Sequence, residues 1–113
     1  MTETPITLPP LAVTVVRGNL YIPHQVCSTY LKNIETVALL PHEEGILLIP
    51  LIQQSAGGLL FKTRNLQGDR IVHAQEFFRQ HGYVEDFQER LYPVRWESQR
   101  AALLIFGVLK TEK

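Results

Sequence analysis

Residues Arg17-Gly18-Asn19-Leu20-Tyr21-Ile22-Pro23-His24-Gln25-Val26-Cys27 set the pattern of this chain. Residues Gln67-Gly68-Asp69-Arg70-Ile71-Val72-His73-Ala74-Gln75-Glu76-Phe77 repeat it. Each stretch is a glycine turn, a short apolar strand and then a helix-like segment. Gly18 matches Gly68, Asn19 matches Asp69, Ile22 matches Val72 and Gln25 matches Gln75. A turn–strand–helix unit this small cannot bury its own apolar face, so two copies are expected to complete each other's core.

Working outward, Leu11 to Val16 is apolar and β-branched and reads as a strand. Gly18-Asn19 is the expected turn, because both residues tolerate positive φ. Leu20 to Ile22 resumes as a strand, and Pro23 suits a helix start, where its missing N–H costs nothing. Val26, Cys27, Tyr30 and Leu31 fall at helical spacing. Thr36 to Leu40 and Ile46 to Ile52 are strands joined by the polar loop Pro41 to Gly45. Pro50 should confine the second strand's end to an edge or a bulge.

The second copy opens after a linker at 53–58. Leu59 to Thr63 and Arg70 to His73 are its first strands, with Asn65 to Asp69 as the turn between them. A helix follows over Ala74 to His81 with Gly82 closing it. Residues 83–90 have no counterpart in copy one and read as an insertion. Leu91 to Trp96 and Ala101 to Leu109 form the last hairpin. The expected fold is mostly β with two short helices: a pseudo-two-fold small β-barrel from two ββαββ units, 11–52 and 59–109, in one domain. Residues 1–10, with Pro5, Pro9 and Pro10, read as an extended arm.

Composition narrows the function classes. The chain has 113 residues, enough to bury a core without staples, and 45% are hydrophobic. Eleven basic residues balance 11 acidic ones, so no net field attracts nucleic acid or anionic lipid. Cys27 is the sole cysteine, which excludes an intramolecular disulfide and fits a reducing compartment. The first ten residues lack a basic n-region and an apolar h-region, and no apolar run reaches membrane-spanning length. A cytoplasmic location is therefore expected.

The string from Arg17 to Val26, followed by Val37 to Leu40 and Ile46 to Ile49, resembles the AbrB/MraZ-type (SpoVT/AbrB) unit. In that family a turn, a strand ending in Ile-Pro, one short helix and a β-hairpin pair as a swapped-hairpin barrel. The resemblance covers about residues 11–52 and, more weakly, 59–105. It implies a barrel, and it implies DNA binding through turn and helix arginines, for which this chain offers Arg17, Arg64, Arg70 and Arg79. It departs from the family at Val15 and Asn65, where an Asp is usual, and at Asn19 and Asp69, where an Arg is usual.

Other side chains have a chemical and a structural reading. His24 and Cys27 share a helical face, and with His73 they are the nearest thing to a zinc or thiol site. No second ligand pair has metal spacing, and a small core cysteine with capping or surface histidines explains the same residues. His42-Glu43-Glu44 has the groups to bind a cation but reads as a solvated turn tip, Glu85-Asp86 with Glu89 reads as a solvated acidic face of the insertion, and Gly57-Gly58 lacks the Lys-Ser/Thr of a phosphate loop. Tyr83, Phe87, Tyr92 and Trp96 bracket the insertion as either a partner-binding anchor or satellite core.

The expected function is a non-enzymatic interaction module, an accessory or assembly factor. It would bind a protein partner through the insertion and an open strand edge, with no cofactor, no metal and no membrane. The second expectation is an AbrB/MraZ-type DNA-binding regulator acting as a homo-oligomer. The third is a metal- or thiol-dependent enzyme using Cys27 and His24.

Overall fold

The computed structural model describes residues 11–51, 58–82 and 88–108. The linker at 53–58, save Gly58, and residues 83–87 of the insertion, with Tyr83 and Phe87, lie outside them. Nine strands and two helices follow in the order β1 Ala12–Val16, β2 Asn19–Ile22, α1 His24–Tyr30, β3 Thr36–His42, β4 Gly45–Leu51, β5 Leu59–Leu60, β6 Lys62–Thr63, β7 Arg70–His73, α2 Gln75–Gln80, β8 Arg90–Glu97 and β9 Ala102–Phe106. All pairings are antiparallel, and the sheet order is β5-β3-β4-β9-β8-β1-β2-β7-β6. The two end strands, β5 and β6, are neighbours in sequence with only Phe61 between them. The sheet is therefore a nearly closed barrel.

Phe61 joins the two ends. Leu59 and Leu60 pair with β3, and Lys62 and Thr63 pair with β7. Phe61 is buried, and its N–H donates to the Glu35 carbonyl at 2.9 Å. Its own carbonyl accepts from Arg70, whose Nη2 also donates to the Ile34 carbonyl at 3.2 Å and whose guanidinium lies 4.2 Å from the Phe61 ring centre. One arginine thus supplies the donors that the interrupted ladder leaves missing.

Prolines mark where strands change partners. Pro93 is the last β8 residue paired to β1, and β9 takes over from Val94. Pro50 pairs with Val37 on one side, but β4 pairs with β9 only through Leu48. Its missing N–H therefore faces no partner strand, as the sequence predicts for a β-edge proline. Along Ala38–His42, β3 has β4 as its only strand partner among the described residues. Pro41 in that stretch limits what could add there.

The core is one cluster filled by both halves: Val13, Leu20, Ile22, Val26, Leu31, Val37, Ile46, Leu48, Val72, Phe78, Leu103 and Ile105. β4 and β9 read as unbroken apolar runs because their other face is also covered. Leu47, Ala102 and Leu104 form a second small cluster there, with Ile49 and Phe106 against it.

Several boundaries differ from expectation. The first turn is Arg17-Gly18 rather than Gly18-Asn19, with φ of 56° and 77°. Both central residues then have the positive φ that a two-residue hairpin of this hand requires. Asn19 pairs instead in β2, opposite His73. Pro23 precedes α1, and its carbonyl accepts from Val26 and Cys27. The loop after β3 shrinks to Glu43-Glu44, because the Glu44 N–H donates to His42 Nδ1 at 3.0 Å.

Gly45 pairs with Phe106 and lies against the β9 backbone. A Cβ there would sit 1.9 Å from the Ile105 carbonyl oxygen, which is backbone and cannot turn aside. Gly45→Ala should therefore cost about 2–3 kcal/mol or prevent folding. A urea denaturation midpoint checks this, and an unchanged midpoint would show that the two strands can separate without cost.

Candidate functional site

Antiparallel partners point to the same face of a sheet, so the pairings define rows of side chains. One outward row runs Leu91, Thr14, Tyr21, Ile71 and Lys62 across β8, β1, β2, β7 and β6. Two adjoining hollows of about 240 and 180 Å³ lie on this face and share Thr14, Tyr21 and Arg64 in their lining. Val16 and Glu89 complete the first; Ala12, Ile22, Pro23, Asp69 and Leu91 complete the second. Leu91 is 69% exposed. The Arg64 guanidinium lies 4.5 Å from the centre of the Tyr21 ring. The lining mixes apolar side chains such as Val16 and Leu91 with Thr14, Tyr21 and charged groups of both signs, Arg64, Glu89 and Asp69.

The loop between β6 and β7 forms one wall of these hollows. Asn65 organises it. Its Oδ1 accepts from the N–H groups of Gln67 and Asp69, both at 3.1 Å, and its Nδ2 donates to Asp69 Oδ2 at 2.9 Å. The Arg64 N–H donates to the Asp69 carbonyl at 2.7 Å. Asp69 Oδ1 accepts the backbone N–H of His24 at 2.8 Å, so the loop is tied to the start of α1. These donors, Asn65 first and the His24 N–H next, hold the Asp69 carboxyl below its ordinary 3.8.

The opposite corner is built alike. The Ala74 N–H donates to the Gly18 carbonyl at 3.0 Å, and Gln75 Nε2 donates to the Arg17 carbonyl at 3.0 Å. A Cβ at Gly18 would meet Gln75 Cγ at 2.7 Å, and one at Gly68 would meet His24 Cβ at 3.3 Å. Each glycine turn lies against the start of the other half's helix.

The residues singled out from sequence are dispersed. Arg17 stands exposed on its turn. Arg64 lies over Tyr21, and Arg70 points to the Phe61 and Ile34 carbonyls. Arg79 on α2 pairs with Glu76 at 3.0 Å. His24 is exposed, with Nδ1 3.7 Å from Asp69, and His73 Nδ1 is 3.1 Å from Asn19 Oδ1. Cys27 is buried, and its Sγ donates to the Ile22 carbonyl at 3.6 Å. The shared helical face thus does not unite His24 and Cys27 in one environment. No group of three metal-ligating side chains converges among the described residues. No helix of the described residues is long and apolar enough to cross a membrane.

Tyr92 and Trp96 lie on the core side of β8. Tyr92 is paired with the fully buried Val13, and Trp96 stacks on Tyr30 at 5.2 Å with 6° between the ring planes. Both pack against the core as satellite side chains. The exposed apolar residue of this strand is Leu91. The alternation in Arg90–Glu97 carries that signal, because Tyr92, Val94 and Trp96 share one face and Leu91 must take the other.

Comparison of the chain with protein-family models, with curated proteins and with solved structures finds no match in any of the three.

Two outcomes follow from this geometry. Burial pushes the Cys27 thiol up to about 11, with the Arg70 charge a weaker opposing influence. Thiol labelling at pH 8 should therefore be slow in the native protein and fast in denaturant; rapid native labelling would mean an accessible thiolate. The lowered Asp69 value contributes stability that is full above the ordinary carboxylate range and is lost as pH falls through the folded value. Urea midpoints measured from pH 7 down to pH 2 should show a steeper acid-side loss for the natural chain than for Asp69→Asn. Parallel curves would remove Asp69 from the acid response.

Proposed function

We propose that this chain is a non-enzymatic interaction module that binds a protein partner on the outer face of β8, β1 and β2. The observation that carries it is the exposed Leu91 beside Tyr21 and Thr14, rimmed by Arg64, Glu89 and Asp69. An exposed apolar side chain and an aromatic ring among polar groups of both signs are the residue types enriched at protein–protein contacts. A phosphate backbone would meet two carboxylates there. Glu89, in the described end of the insertion, lines this face just before β8 begins at Arg90.

We further read the barrel as two ββαββ units related by a pseudo-two-fold, arranged as in AbrB/MraZ-type proteins. The sheet order supports this. With Leu59–Thr63 taken as the counterpart of β1, exchanging the two halves leaves the closed order unchanged. The reciprocal seating of Gly18 on Gln75 and of Gly68 on His24 supports it too. An experimental structure in which residues 11–52 fail to superpose on 59–105 would end this reading. A cytoplasmic accessory or assembly role fits the reduced cysteine and the balanced charge.

Leu91→Asp should lower partner capture by roughly tenfold or more while leaving thermal stability near that of the natural chain, since the side chain is mostly exposed. Capture unchanged in both Leu91→Asp and Tyr21→Ala would remove this face as the interface. A sequence-selective gel shift at physiological salt, lost in Arg17→Ala, would replace the protein partner with DNA.

A further inference from the structure

The outer side of the β4–β9 pair is buried, although the main core lies on the inner side. Strand parity puts Leu48 and Leu103, with Ile46 and Ile105, inward. The alternate residues face out. In one outward row Leu40, Leu47, Leu104 and Arg95 stand side by side across β3, β4, β9 and β8. Leu47 is 6% exposed, Leu104 1% and Ala102 0%, whereas Leu40, at the β3 end of the row, is 48% exposed. The shielding therefore sits over β9 and β4 and stops short of β3. Neighbours within a sheet cover one another's flanks but leave the outward tips to water, so the row does not shield itself. Among the described residues, the partly buried apolar side chains packed against this cluster are Ile49 and Phe106, which belong to the same two strands. Both helices send their buried residues, Val26 and Cys27 from α1 and Phe77 and Phe78 from α2, to the main core. Arg95 reaches toward the Phe106 end, its guanidinium 5.0 Å from that ring centre and 2.8 Å from Glu97.

The chain that leads into β1 starts beside this face. The Val94 N–H donates to the Leu11 carbonyl at 3.1 Å, so Leu11 continues the β1–β8 register one step beyond Ala12 and Pro93. Further along β8, Arg95 and Glu97 stand next to Leu104 and Ala102. The residues before Leu11 thus set out toward the shielded end of β9. Pro10 and Pro9 have no N–H with which to extend the ladder. Ahead of them come Leu8 and Ile6, two residues apart and so on one side of an extended chain. Crossing from β8 over β9 to β4 takes about 10 Å. The chain from Leu11 back to Ile6 reaches about 17 Å when extended. After Val108, at the other end of β9, the sequence offers Leu109 and then only the polar run Lys110 to Lys113. We propose that residues 1–10 fold back across β9 and β4 as a strap, with Leu8 against Leu104 and Ile6 against Leu47. The strap hides an apolar face that would otherwise promote association between copies of this chain. It uses residues other than those of the β8–β1–β2 face and does not rest on the interaction reading.

The test is methyl NMR on the full natural chain, with the Ile and Leu methyl groups labelled. The expected result is cross-relaxation from Ile6 or Leu8 to Leu47 or Leu104, within one chain. Mixing differently labelled copies separates contacts within a chain from contacts between chains. The second measurement is binding of an apolar fluorescent dye. In the full chain, the double variant Ile6→Asp/Leu8→Asp should raise dye fluorescence several-fold, because the outer side of β4 and β9 opens to water. Leu60→Asp, at an exposed site away from this face, should leave it unchanged. Three results would overturn the proposal. The first is no cross-relaxation from Ile6 or Leu8 to β4 or β9 in the natural chain, which decides the matter even if the double variant fails to fold. The second is cross-relaxation found only between chains, which makes a second copy the cover. The third is cross-relaxation to Leu104 from Leu109 in place of Leu8, which gives the face to the end of the chain.

Discussion

A sheet that closes on itself must find one stretch of chain that can pair on both sides, and here that stretch is Leu59 to Thr63. It is too short to be two independent strands. It works because Phe61 leaves the ladder and turns into the core, where it is 2% exposed. That departure would strand its carbonyl and the carbonyl of Ile34. Arg70, entering from the neighbouring strand, satisfies both. A charged group so placed is costly unless its donors are used, and its planar fork lets one side chain serve two acceptors and stack on a ring. The barrel's closure and the fate of Arg70 are one fact.

That fact also explains which parts of the molecule could be read in advance. Strand and helix positions follow local rules. Alternation, Pro at partner changes and Gly at positive φ are written in a few consecutive residues, and they place β1, β2, α1, β7 and α2 close to where they lie. Arg70 could not be read this way. In sequence it is a cation just after a turn, where the resemblance implies a phosphate contact. Its partners are Phe61 and Ile34, and no local rule records so distant a requirement. The split of Leu59 to Thr63 into β5 and β6 was hidden for the same reason, since it depends on Glu35 accepting from Phe61.

The proposed binding face shows the same division. Four aromatics around the insertion stood out by residue type. Two of these, Tyr92 and Trp96, are drawn to the core side of β8 by the stack on Tyr30 and the pairing with Val13. The register of β8 decides this, and register follows the side that buries the larger apolar surface. Leu91 is left outside as a consequence. An ordinary leucine is less conspicuous in a sequence than a tryptophan, but strand parity assigns it the solvent face once Trp96 is known to be inside.

Asp69 links the two regions. Its carboxylate holds Asn65 on one oxygen and the first amide of α1 on the other, so the loop that carries Arg64 is fixed to a helix whose Val26 and Cys27 lie in the core. Arg64 in turn lies on Tyr21, which sits in the row with Leu91. A DNA-contacting turn would leave its cations free of such commitments and would hold no fixed carboxylate, because a duplex offers a charge per roughly 1.7 Å and penalises a fixed anion at each contact. Here the last residue of the loop, Asp69, is an anion whose own partners lower its proton affinity, so it stays charged where a phosphate would approach. That electrostatic arrangement, more than the neutral net charge, is why the reading proposed for this surface is a protein partner.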